Sequence, residues 1–112
     1  MKLLYYVTSR GGNPFAGWYG ELGQEAARRV TIAIERLALG NTSNVKSVGG
    51  GLYEVKVSFG PGYRVYFGYD GPRVVILLGG GTKQRQERDI ASARERWADY
   101  QMRRGPRGTT WH

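Results

Sequence analysis

The chain contains no cysteine and a single histidine, His112, which is its last residue. The first absence excludes disulfides, thiolate zinc sites, iron–sulfur clusters and a cysteine nucleophile. The second removes a Ser-His-Asp triad and a histidine-ligated metal centre. No metal and no other cofactor is expected. Long apolar runs are also missing, since nothing approaches the roughly 20 residues of a membrane span. Met1 to Arg10 lacks the extended apolar stretch and small-residue cleavage site of a signal peptide. The expectation is a cytoplasmic protein with no membrane contact. Acidic residues are scarce: Asp+Glu number 9 against Lys+Arg 17 in 112 residues, for a net charge of +8.

That imbalance points to an anionic partner, either nucleic acid or an acidic protein. Most of the basic residues are Arg, whose planar fork of donors matches phosphate. Hydrophobic residues make up 40% and aromatics 12%, enough to form a core at a length typical of one domain. Residues 1–102 are expected to form that domain, with 103–112 as a flexible basic tail.

Periodicity gives an order of elements. Met1 to Thr8 reads as a strand. Asn13 and Pro14 supply an N-cap and first turn for a short helix, with Phe15, Trp18 and Leu22 on one face. Gln24 to Leu39 is a second helix with Ala26, Val30, Ala33, Ile34 and Leu37 as its apolar stripe. Gly40-Asn41 stops it. The short connection between the two helices predicts a hairpin.

From Val45 the period changes to two, with Gly49-Gly50-Gly51 read as a turn. In Leu52 to Phe59, Tyr53, Val55, Val57 and Phe59 face one way, and Glu54, Lys56 and Ser58 the other. Gly60-Pro61-Gly62 is read as the loop to a second strand, Tyr63 to Phe67. Asp70-Gly71 signals a tight hairpin into a third, Arg73 to Leu78, whose uninterrupted apolar run predicts cover on both faces. Gly79-Gly80-Gly81 is read as its end. A last helix, Gln84 to Met102, carries Ile90, Ala93, Trp97 and Tyr100 on its apolar side. The fold class is α+β: an N-terminal strand, a two-helix hairpin, three antiparallel strands and a C-terminal helix.

With that loop, Ser58 would lie opposite Arg64, Lys56 opposite Tyr66, and Leu77 opposite Arg64 on the other side. One sheet face then gathers Glu54, Lys56, Arg64 and Tyr66, with Lys83 leaving the next strand nearby. A groove ringed by Lys56, Arg64 and Lys83 would bind a phosphate backbone. The plain alternative is a solvated face on which Glu54 pairs with Lys56 or Arg64.

Several segments carry a family resemblance: "RLALGN" (36–41), "VKSVGGGLYEVKV" (45–57), "FGPGYRVYF" (59–67), "LLGGGTK" (77–83) and "RDIASA" (88–93). Together with "NPFAGWYGEL" (13–22), they resemble toxins of bacterial type II toxin–antitoxin modules. The branch is the phage-related, HigB-like "addiction module killer" group of the RelE/ParE superfamily. The resemblance implies a compact sheet with helices packed on it and a cognate antitoxin as partner. It also implies metal-independent cleavage of mRNA on the ribosome, with ribosomal RNA contacts. By resemblance, Lys56, Arg64 and Lys83 are the candidate catalytic residues. Arg85 and Tyr66 are candidate RNA contacts, with sheet-surface packing as the alternative for Tyr66. ParE relatives instead poison DNA gyrase without catalysis, and an inactive nucleic-acid- or antitoxin-binding module is a further alternative. The sequence departs from the well-characterised nucleases of this group in having no histidine near the last strand.

Overall fold

The computed structural model describes residues 1–104. Its elements are β1 (Lys2–Tyr5), α1 (Pro14–Gly20), α2 (Gln24–Ala38), β2 (Val45–Gly49), β3 (Leu52–Val57), β4 (Tyr63–Tyr69), β5 (Val74–Thr82), a 3₁₀ turn (Lys83–Arg85) and α3 (Gln86–Arg104). α3 runs through the expected boundary at residue 102. The rest of the expected tail lies outside the described residues. Among those residues, no helix is long and apolar enough to cross a membrane.

Local chemistry accounts for the helix ends. Asn13 caps α1, its side chain accepting from the Ala16 amide at 3.0 Å, and Pro14 begins the first turn. At the end of α2, Gly40 adopts φ +89°, its N–H bonds Leu37 O, and the Asn41 N–H reaches back to Arg36 O. This is the crossed pair of bonds that closes a Schellman turn.

The sheet is mixed, with order β1-β5-β4-β3-β2. β2 to β5 are antiparallel neighbours, and β1 runs parallel to β5. The structure thus adds one strand to the expected order, β2, in the approach to β3. It is short and mostly exposed, and its place is set by pairing with β3 more than by its own hydrophobic pattern.

The helices cover both faces. α1 lies mainly on β5 and α2 on β3, joined by a 2.6 Å hydrogen bond between the Tyr19 hydroxyl and Thr31 Oγ1. Beneath them is an apolar layer that includes Phe15, Val30, Leu37, Val55, Val65, Phe67, Val75 and Leu77. On the other face, α3 packs Ala93, Trp97 and Tyr100 against Leu52, Tyr66, Ile76 and Leu78. The predicted two-sided burial of the last strand is thus found. Val75 and Leu77 point to one layer, Ile76 and Leu78 to the other.

Two expectations about this strand change. Gly79-Gly80-Gly81 does not end it, because β5 continues to Thr82. The glycines let helices approach from both sides: a methyl group on Gly80 would overlap the Trp18 ring of α1, and one on Gly81 would overlap Asp89 of α3. The register also differs. β3 and β4 are joined by five residues, Ser58 to Gly62, rather than three, with the Gly62 N–H bonded to Phe59 O. Lys56 therefore pairs with Arg64, Glu54 with Tyr66, and Val55 with Val65. The shift is two residues, so every side chain keeps its predicted face. On the other side Arg64 lies opposite Gly81 instead of Leu77, since a bulge at Tyr66/Phe67 and a longer loop offset β5.

Candidate functional site

The polar face of β3 and β4 ends beneath the start of α3. Glu54 and Arg64 are both buried there, 3% and 6% exposed, the two buried charged residues among those described. Glu54 Oε2 lies 3.4 Å from Arg64 Nε, and its other oxygen accepts from Gln86 Nε2 at 3.0 Å. One carboxylate thus ties β4 to the first residue of α3. A buried ion pair of this kind needs its remaining valences filled to offset desolvation. Here they are only partly filled. Arg64 Nη1, the Tyr66 hydroxyl and Asp89 Oδ2 are all buried without a hydrogen-bond partner among the described residues.

The protonation equilibria follow from this burial. The Tyr66 phenol is pushed well above its ordinary value, first by desolvation and then by the carboxylates of Glu54 and Asp89, with Arg64 opposing. Asp89 is also raised by desolvation, against the pull of Arg85, Arg88 and Arg96. Asp89 sits in the first turn of α3, where the helix dipole favours a carboxylate, yet its Oδ2 is pressed over Gly81 away from water.

Around this buried cluster stand exposed cations. Lys56 is the cross-strand neighbour of Arg64 and is exposed. Lys83 and Arg85, in the 3₁₀ turn, are exposed as well. The Lys83 amide bonds Gly62 O at 2.8 Å, which fixes the turn beside the β3–β4 loop. A Cβ added to Gly62 would lie 3.7 Å from Lys83 Cβ and 3.8 Å from Arg64 Nη1, so both side chains border one point. Lys56, Arg64 and Lys83 therefore gather at one end of the sheet.

Two of the five predicted residues sit differently from expectation. Tyr66 is 1% exposed beneath α3, so its ring packs in the core instead of offering a stacking surface to a base. Arg64 is the partner of Glu54, as in the plain alternative to a phosphate groove, although the pair is buried and not solvated. Gln86 and Asp89 went unnoticed in the sequence. The available signal was Gly81, whose missing side chain makes room for Asp89, and that signal depends on knowing what crosses the strand.

Residues 18–98 match the family described as "Phage derived protein Gp49-like (DUF891)". The chain belongs to this Gp49-like family. A protein of Haemophilus influenzae (strain ATCC 51907 / DSM 11121 / KW20 / Rd), itself uncharacterised, is 38% identical over 81 residues, which is 71% of this chain and 82% of the relative. The Gp49-like family is generally linked to toxin–antitoxin modules. The span matched to it takes in the end of α1, α2, all of β2 to β5 and most of α3, and with them every residue of the cluster described above.

Proposed function

We propose that this protein is the toxin of a type II toxin–antitoxin pair of the RelE/ParE kind, acting as a metal-independent endonuclease on ribosome-bound mRNA. The observation that carries the reading is the meeting of Lys56, Arg64 and Lys83 at one end of the sheet, in a chain of net charge +8. In this reaction a 2′-hydroxyl attacks the adjacent phosphorus, negative charge grows on the phosphoryl oxygens, and the 5′-oxygen leaves with a proton. Lys56 and Lys83 flank the phosphate from solvent. One serves as base toward the 2′-hydroxyl, and the other neutralises the phosphorane or protonates the leaving oxygen. Arg64 holds the phosphate once the start of α3 moves aside, and Arg85 contacts the flanking strand. The protein partner is the cognate antitoxin.

The test is a Lys56→Ala/Lys83→Ala variant. Both side chains are exposed, so the fold is retained. Mapping mRNA 5′ ends after induced expression should show new cuts with the natural chain and about a hundredfold fewer with the variant. Undiminished cutting would reject this site.

One observation favours a second reading: Arg64 is buried and already engaged by Glu54. In that reading the chain inhibits by binding alone, as a gyrase inhibitor or an inert module for nucleic acid or antitoxin. A supercoiling assay run beside the cleavage map separates the two, because inhibition without any cut message supports the binder.

A further inference from the structure

A second basic region lies on the opposite side of the sheet, between α2 and the end of β3. It is a groove of about 470 Å³ whose walls include Arg28, Arg29 and Arg36 of α2 and Lys56 of β3. Arg28 and Arg36 stand one turn either side of Ile32, which is partly exposed. Ile32 and Ala33 form an aliphatic floor with Val55 and Val57. Among the described residues no carboxylate lines the groove. Glu25 pairs with Arg28 at 2.7 Å and Arg29 at 3.0 Å on the exposed flank of the helix. Arg36 has no carboxylate within ion-pair distance among the described residues.

The chemistry of the walls selects the occupant. Single-stranded nucleic acid is gripped by aromatic faces as well as by cations, and among the described residues no aromatic lines this groove. The neighbouring ring, Phe59, is already covered by the Arg29 guanidinium at 4.6 Å. Aliphatic side chains between arginines suit a peptide that alternates acidic and aliphatic residues. The volume falls within the roughly 300–1,000 Å³ of sites that take a few groups rather than a duplex. We infer that this groove is a docking site for an acidic, amphipathic segment of a partner protein. Lys56 borders both this groove and the cluster with Arg64 and Lys83, so the two regions adjoin, but the docking does not depend on nuclease activity. Glu25 acts as an internal competitor, holding two of the arginines until a partner carboxylate replaces it.

The experiment is fluorescence anisotropy on the full chain with short labelled peptides: one alternating Glu and Leu, a second with every Glu replaced by Lys, and a third with every Leu replaced by Ser. A single-stranded RNA of mixed sequence runs in parallel. The Glu–Leu peptide should bind more tightly than both peptide controls. Arg28→Glu/Arg36→Glu, at two exposed positions, should weaken it by about tenfold or more while leaving RNA binding unchanged. Glu25→Gln should strengthen it, which gives a gain of binding that no unfolding would mimic. Equal binding of the Glu–Leu and Lys–Leu peptides, or indifference to the charge reversal and to Glu25→Gln, would overturn the proposal. Loss of RNA binding in the Arg28→Glu/Arg36→Glu variant would assign the groove to nucleic acid instead.

Discussion

The sheet has two faces of very different character. Under α1 and α2, buried contacts are between aliphatic and aromatic side chains, as where Phe67 stacks on Tyr53 at 5.7 Å. Under α3, a similar apolar layer gives way at one end to Glu54, Arg64, Tyr66, Gln86 and Asp89. An apolar layer gains stability from every atom it hides. A half-satisfied polar cluster returns part of that gain as desolvation, so such clusters mark places kept for something besides folding. In this molecule the first face is buried through apolar contacts, and the second holds a buried polar cluster whose partners are incomplete among the described residues.

The largest effect expected from this contrast is in the apolar layer. Phe67→Ala empties a fully buried site and should cost about 3–5 kcal/mol in urea unfolding. A cost below that of truncating an exposed side chain would contradict the division of roles. On the polar face, Glu54→Leu strands the Arg64 charge and should cost roughly 3 kcal/mol. Glu54→Leu/Arg64→Met should recover most of the loss, because two apolar groups need no partner. If the double variant is no more stable than Glu54→Leu alone, the pair is a net source of stability.

A smaller, pH-dependent effect comes from Asp89. Folding raises this carboxyl's pKa. Its favourable contribution is therefore complete below the ordinary carboxylate value and is lost as pH rises through the raised one. Asp89→Asn should be more stable than the natural chain at neutral pH, by about 1 kcal/mol. The difference should shrink to nothing as the pH is brought below the ordinary carboxylate value. Thermal melts across that range check the sign. The smallest effect belongs to Glu25, fully exposed, whose carboxyl Arg28 and Arg29 hold at about 2. Its pairing persists above the ordinary carboxylate range and fades as pH falls toward that value. Glu25→Gln should barely move the melting temperature at neutral pH.

Much of this architecture was legible in the residues. Alternation along β3 and β4 put each side chain on its correct face, the Asn13 cap and Gly40 stop marked helix ends, and the unbroken Val74–Leu78 run announced cover on both sides. The misses share a cause. Register depends on how many residues a loop consumes, and Ser58 and Phe59 look like strand until the Gly62–Phe59 bond is seen. The glycine triplet reads as a break until Trp18 and Asp89, distant in sequence, are found pressed against it. The site was half visible for the same reason. Its cations stand out in sequence, whereas Gln86 and Asp89 acquire meaning only from the strands they cover.

β1 pairs with residues more than 70 positions further along, Lys2 with Val74 and Tyr5 with Leu77. During synthesis β1 consequently has no neighbour in the sheet until β5 has been made. Any product that terminates before Leu77 lacks the strand on which both helical layers rest. The sheet is therefore completed only once β5 is available, and truncated copies are expected to be substrates for proteolysis.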